Sequence, residues 1–417
     1  MERNTINKEL QDELFYERCC GIDVHKKMIV ACFRDGRKQE IKMFGTHSRE
    51  LRAMADWLLG NDCQMVAMES TGSYWKPVFN VLELLGLDVI VVNAYHLKNV
   101  PGRKTDVGDA EWIAKQLSAG NLRPSYVPER GQRELREVTR YRKNLVGERA
   151  REKNRLAKML EGANIKLTSV VSDVVGKNSR RLLAALADGE DISAETIGDL
   201  IDKHMAGKSV ELVDAMDGVM SKTQRMLVKA VLAHIDDMTR RIDDLSKFID
   251  DEMDEYDKAI RHLDTIDGIG EESAQTILAE IGLTMERFRT AGHLAKWSGL
   301  CPGNNESAGK RNKGIGCKGN PTLKSTLVQC AQSAVQKKGT FFRAQYEKLV
   351  VRRGKKRAIV AVAHSMIIAI WYMLKNDEDY NDLGGDYYNR FNPEKKIAMY
   401  LRKAEELGWT PSIQANA

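Results

Sequence analysis

The sequence predicts two fold classes in one chain: an α/β domain at the N-terminus and an all-α remainder. Two observations carry this. Short strand and helix patterns alternate up to about residue 128, and beyond it the apolar residues recur with helical spacing. A third supports the division: the charges after residue 128 gather into separate basic and acidic blocks.

The elements follow in order. Cys20-Gly-Ile-Asp-Val-His25 reads as a short strand, with a turn at Lys26-Lys27 and a second strand from Met28 to Phe33. Asp35-Gly36 turns the chain into a weaker third strand near Lys38 to Met43. Leu51 to Leu59 has helical spacing, Met65 to Met68 is a strand, Val78 to Leu85 is helical and Val89 to Val92 is a buried strand. Asp106 to Leu117 is a helix with Asp106 near its start. The order β-β-β-α-β-α-β-α describes a ribonuclease-H-like arrangement, a mixed sheet covered by helices.

The next region is helical. Glu129 to Lys166 holds 12 Lys and Arg against 6 acids, a net of +6. Ile235, Met238, Ile242, Leu245, Ile249, Met253, Tyr256, Ile260 and Leu263 then recur at steps of three or four, the pattern of a coiled coil. A dimer seam and one long helix packed inside its own chain satisfy that pattern equally. The same stretch is acidic, with 11 acids and 5 bases from Asp236 to Asp264. From Cys301 to Val360 there are 14 Lys and Arg against 2 acids, a net of +12 and the strongest footprint for a polyanion. The expected division is an extension at 1–18, the α/β domain at 19–128, a helical and coiled-coil region at 129–263, a second, mostly helical domain at 264–374 and a tail at 375–417.

Composition excludes several classes. Hydrophobic residues are 42% and charged residues 30% of the 417, a globular balance, and the net charge is +6. Met1 to Glu17 lacks the apolar core of a secretory signal. The longest apolar run, Ala358 to Leu374, is broken by His364 and Ser365 and falls short of a span of ~20 residues, so a buried helix is expected and no membrane partner. Seven cysteines with no C-x-x-C pair point to free thiols in a reducing cytoplasm, not to disulfides or zinc.

Four acids stand at positions that such a sheet would bring together. Asp23 is on the first strand, Glu69 ends the fourth, and Asp106 and Asp109 lie three apart on one helical face. Converging carboxylates destabilise one another unless a cation neutralises them. Their hard oxygens suit Mg²⁺, with Mn²⁺ as the alternative. Taken singly, each acid reads as a turn or cap residue; taken jointly, they read as a metal-dependent nuclease-type centre. Sugar kinases and actin-like ATPases open on a similar Gly-Ile-Asp. They need a glycine and a hydroxyl next, whereas Val24-His25-Lys26-Lys27 follows here.

Two motifs lie further on. Thr265 to Leu278 reads as helix, tight turn, helix, the helix-hairpin-helix signature, with Gly268 and Gly270 offering backbone N–H groups to a phosphate. Trp297 to Gly316, rich in Gly, Pro and Asn, reads as a loop with Ser307 at its centre and Lys310, Arg311, Lys313 and Lys318 around it. A serine hydroxyl can attack a phosphodiester that cations hold in place, keeping the energy of the broken bond in an ester. From spacing alone, a serine making a turn hydrogen bond is the plainer reading. Ser298 follows Trp297 directly and belongs to the preceding helix.

Gly21-Ile-Asp-Val-His-Lys26, Glu69-Ser-Thr-Gly-Ser-Tyr-Trp75, Lys104-Thr-Asp-Val-Gly-Asp-Ala110 and the block from Gly299-Leu-Cys-Pro to Gly319-Asn320 resemble the DEDD transposases of the insertion-sequence family numbered one hundred and ten. The resemblance implies a RuvC-type nuclease domain holding Mg²⁺ through Asp23, Glu69, Asp106 and Asp109. It implies a transposase domain at 264–374 with Ser307 as nucleophile, although Ala308 stands here where the family often has glycine. It also implies donor and target DNA as substrates, a structured non-coding bridge RNA that chooses them, and a homodimer or tetramer whose sites combine domains of different subunits. The basic helix then suits RNA and the heptads suit subunit contact. The expected function is that of a cytoplasmic, nucleoid-associated site-specific recombinase, the transposase of an insertion sequence. Two alternatives stand beside it: a RuvC-like structure-selective endonuclease using water, and a non-enzymatic nucleic-acid-binding regulator.

Overall fold

The computed structural model describes residues 15–70, 72–93, 108–302, 306–307, 310–311, 319–390 and 393–409. The chain forms two compact units, residues 1–129 and 130–417.

The first unit follows the predicted order. β1 (Arg18–Val24), β2 (Met28–Asp35) and β3 (Lys38–Gly45) form an antiparallel meander. Helix α1 (Ser48–Gly60), β4 (Met65–Glu69), α2 (Trp75–Leu84), β5 (Val89–Val92) and α3 (Asp109–Ser118) come next. β4 and β5 join β1 in parallel, giving a five-stranded mixed sheet in the order β3-β2-β1-β4-β5. Successive side chains leave a strand on opposite faces, and the two faces of β1 serve different layers. Cys20, Ile22 and Val24 pack with Leu51, Met54, Leu58 and Leu82 of α1 and α2. Cys19 packs with Ile113 and Leu117 of α3.

The second unit is mostly helical. Helix α4 (Arg130–Gly162) is the basic stretch and runs for 33 residues. α5 (Lys177–Asp188) and α6 (Ser209–Met216) follow, then α7 (Lys222–Glu252), which opens on a capping box at Ser221 and Gln224. The heptad seam is internal to the chain: Ile235, Met238, Ile242 and Ile249 are buried where α7 packs on α4. The seam also crosses a helix break. α7 ends at Glu252, a short 3₁₀ turn spans Asp254–Tyr256, and α8 (Asp257–Asp264) carries Ile260 and Leu263. Residues 168–222 build a local core in which Leu182, Leu183, Leu186, Leu212 and Met216 meet Leu156, Leu160 and Val228.

The remainder comprises α9 (Glu271–Ile281), α10 (Ala291–Trp297), α11 (Pro321–Ala334), α12 (Phe341–Arg353), α13 (Lys355–Asn376) and α14 (Pro393–Glu406). α13 contains the long apolar run. By length and composition it could cross a membrane, but Val362, Ala363, Met366, Ile367 and Ile370 are buried where it meets α10, α11 and α12.

Candidate active site

The acidic edge is built by register. Along the parallel β1–β4 ladder, Cys19 lies opposite Met65 and Ile22 opposite Met68. One residue further, Asp23 and Glu69 stand level on backbones ~4.8 Å apart. By alternation both belong to the face that Cys19 and Ala67 turn toward α3. Helix α3 lies against β1 because residue 21 is glycine: a Cβ there would fall 2.3 Å from Ala110 O and 2.3 Å from Ala114 N. Cys19 meets Ile113 and Leu117, and Gly21 meets Ala110 and Ala114. The helix therefore runs opposite to the strand. Its first turn, which begins with Asp109, reaches the level of Asp23.

Asp23 has a partner in His25. The Asp23 carboxylate lies 2.9 Å from Nε2 of His25, and its side chain is 16% exposed. Asp-x-His at a strand end places both side chains on one side, and the hairpin closes there through His25 N–H donating to Met28 O at 2.9 Å. Asp106 lies outside the described residues. The helix expected to open there begins at Asp109, after Gly108. Among the described residues no three His, Cys, Asp or Glu side chains are gathered closely enough to hold a metal ion.

Ser307 is in the second unit. The stretch expected as a plain loop contains a small hairpin, β6 (Glu306–Ser307) and β7 (Lys310–Arg311), with Ser307 paired to Lys310 and Glu306 to Arg311. Ala308 and Gly309, which separate the strands in sequence, lie outside the described residues. Lys313 and Lys318 lie outside the described residues. Ser298, as expected, belongs to the end of α10: it is fully buried and its hydroxyl donates to Ala295 O at 2.8 Å. The six cysteines described, at 19, 20, 32, 63, 301 and 330, are free thiols.

Of the two glycines, Gly268 has a packing role. Gly268 has φ +87°, and a Cβ on it would fall 2.4 Å from Cys330 O in α11, so the α8–α9 turn seats directly on that helix. Gly270 precedes α9, whose first turn carries Glu271 and Glu272; these carboxylates compete with any anion for the same N–H groups. The basic helix is likewise partly committed. Arg136 and Arg142 of α4 are buried, Arg142 donating to Ser246 and to Glu272 O at 3.3 Å each. Desolvation pushes the Arg142 pKa down, against the pull of Glu272. Lys143 is similarly lowered by burial and donates to Thr322 O at 3.1 Å and to Ser325 Oγ at 2.7 Å. Arg151, Arg155 and Lys158 are exposed.

Both ends of the chain are similar to known transposases. A family model for DEDD transposases of the IS110 type matches residues 20–165. A second, for transposases of the IS116/IS110/IS902 family, matches residues 260–347. The transposase for insertion sequence element IS1111A of Coxiella burnetii (strain RSA 493 / Nine Mile phase I) is 24% identical over 389 residues, covering 91% of this chain and 95% of that one. The putative transposase y4rJ of Sinorhizobium fredii (strain NBRC 101917 / NGR234) is 25% identical over 340 residues, 77% and 80% of the two chains.

Proposed function

Because the chain belongs to the IS110 family of DEDD-type transposases, we propose that it cuts and rejoins DNA through an ester between Ser307 and a DNA phosphate, with Asp23, Glu69, Asp106 and Asp109 as a magnesium-binding set. The observation that supports the metal reading is the parallel register of β1 and β4, whose last pair, Ile22 and Met68, immediately precedes Asp23 and Glu69. A donor set of carboxylate oxygens fits a hard divalent ion. When bound, Mg²⁺ would neutralise the phosphate and favour the ionised hydroxyl. His25, beside Asp23, holds that carboxylate in place.

The sheet order β3-β2-β1-β4-β5 supports a RuvC-type nuclease fold, and the α8–turn–α9 unit supports a helix-hairpin-helix. In the reaction, the Ser307 Oγ–P bond forms while the bond from phosphorus to one deoxyribose oxygen breaks. The serine proton leaves and the released oxygen gains one. Attack of a deoxyribose hydroxyl on the ester then restores Ser307 and joins the new strands, so no ATP is needed. Lys310 and Arg311, in the strand next to Ser307, together with Lys313 and Lys318, would hold backbone phosphates, and Gly268 and Gly270 would seat one more. A structured bridge RNA along the exposed part of α4, around Arg151, Arg155 and Lys158, would select the DNA, and the active form would be a dimer or tetramer.

The test is a protein–DNA adduct on a denaturing gel, using DNA that spans an end of the insertion sequence. Wild-type protein should form it and Ser307→Ala should not. An adduct that survives in Ser307→Ala moves the nucleophile elsewhere, and cleavage by wild type with no adduct favours a water-using endonuclease. Sequencing the RNA that copurifies tests the guide.

A further inference from the structure

The base of the segment that carries Ser307, formed by residues 297–302 and 319–320, is tied to a carboxylate with no solvent access. Glu280, near the end of α9, is fully buried. Arg140 of α4 grips it with two parallel bonds, Nε to Oε1 at 2.6 Å and Nη2 to Oε2 at 2.8 Å. Arg136 Nε lies 3.5 Å from Oε2, and Arg136 also donates to Ala279 O at 3.1 Å and to Glu280 O. The remaining partner is Asn320, whose Nδ2 donates to Oε2 at 2.6 Å.

Asn320 is where the serine segment ends. Its backbone N–H donates to Trp297 O at 3.0 Å, and its Oδ1 accepts from Leu323 N at 3.0 Å as the N-cap of α11. Next to it, a Cβ on Gly319 would fall 2.2 Å from Gly299 N and 2.6 Å from Trp297 O. The two ends of the segment that carries Ser307 therefore meet backbone to backbone. The Arg136 guanidinium lies 5.6 Å from the Trp297 ring and closes the circuit from Glu280 through Asn320 and Trp297 back to Glu280.

We propose that Glu280 is a positioning residue for Ser307: it fixes the base of the segment that carries the serine and ties that base to helix α4. The chemistry fits this role better than simple stabilisation. Packed apolar side chains hold helices together at least as well as a buried ion pair, but they do not set an orientation as a bidentate guanidinium and an amide do. The circuit also joins two parts with different proposed partners. The Arg140 side chain is 41% exposed, so a phosphate backbone lying along α4 would compete with Glu280 for its guanidinium. Nucleic acid on α4 would then be felt at the base of the serine hairpin.

The catalytic half of the inference rests on Ser307 being the nucleophile, so the experiment separates the two. Full-length protein, with whatever nucleic acid it carries, is made as Asn320→Ser and Glu280→Gln. Serine at 320 keeps a cap for Leu323 N–H but removes the donor to Glu280, so the fold is preserved even if the glutamate variant is damaged. At saturating DNA the adduct rate should fall at least about tenfold in Asn320→Ser, since small misplacements of a reacting group cost that much. The DNA concentration for half-maximal rate should stay at the wild-type value, while the melting temperature should fall because buried Glu280 loses one partner. Amide exchange in residues 297–320 should quicken in both variants. Wild-type adduct rate and wild-type exchange in Asn320→Ser would overturn the proposal. If wild type and Ser307→Ala prove indistinguishable in adduct, the nucleophile assignment fails by itself, and exchange at 297–320 alone then judges Glu280: quickened supports the anchor, unchanged sinks it.

Discussion

The acidic edge of the sheet and the base of the serine hairpin are built by opposite means. At the edge, backbone ladders do the placing: β1 and β4 share a register, and α3 comes close because Gly21 has no side chain. At the hairpin base, side chains do the placing: one buried carboxylate holds two guanidiniums and an amide. A ladder resists small perturbations, since its alternative is a whole-residue slip that turns every side chain to the other face. A polar cluster is more easily altered by a single substitution, because each partner removed leaves a buried group unsatisfied. The edge should therefore lose chemistry and keep its fold when an acid is neutralised, whereas the hairpin base should lose stability when a partner is removed.

The largest expected effect is at the edge. Asp23→Asn keeps the size of the side chain and its place on β1 while removing the charge. DNA cleavage should drop by at least about 10²-fold with an unchanged melting temperature. Cleavage at the wild-type rate would remove this carboxylate from the reaction. Gly21→Ala attacks the ladder's packing instead. Its methyl would overlap backbone atoms of α3, which have no rotamer to move, so the N-terminal unit should lose about 3 kcal/mol, read from its denaturant midpoint. Unchanged stability would mean that α3 does not depend on glycine to sit where it does.

At the hairpin base the matching experiment is Arg140→Met, which keeps the aliphatic stem and removes the bidentate grip on Glu280. Loss of one partner of a buried pair costs ~3–5 kcal/mol, but Arg140 is partly solvated and Arg136 and Asn320 remain. About 2 kcal/mol is expected. A loss below about 0.5 kcal/mol would place this pair with ordinary surface bridges and blur the contrast between the regions.

The same contrast explains what the sequence disclosed. The strand and helix order of the first unit was legible because alternation and helical spacing are local. The pairing of β1 with β4, the strands that carry Asp23 and Glu69, followed from a topology that those elements imply. The coiled-coil pattern was legible as a seam but not as to its partner: nine heptad positions describe an apolar stripe equally for a second chain and for α4, and their spacing did not register the break after Glu252. Glu280 was invisible. A glutamate inside Thr-Ile-Leu-Ala-Glu-Ile looks like any helical acid, and its partners lie 140 residues upstream and 40 downstream. His25 had a weak signal, since Asp-x-His at a strand end puts both side chains on one side. Ser307 was singled out through resemblance, because a serine in a glycine-rich stretch carries no distinguishing pattern of its own.

The smallest predicted effect concerns a third kind of site, a titratable group placed by apolar packing. His364 of α13 lines a cavity with Phe341, Phe342 and Tyr380, and Glu378 and Asp379 stand on the same wall. Burial pushes its pKa down, so the folded chain prefers the neutral ring despite those acids. The unfolded chain takes up a proton below about pH 6.5 and the folded chain resists doing so. His364 thus adds to stability above that pH, and the contribution is lost as pH falls through the lowered folded-state value. The drop in melting temperature from pH 7.5 to pH 5.5 should accordingly be smaller in His364→Leu than in wild type. An equal drop in both would mean that the two carboxylates offset the desolvation of the ring, and that packing alone does not set the charge of this histidine.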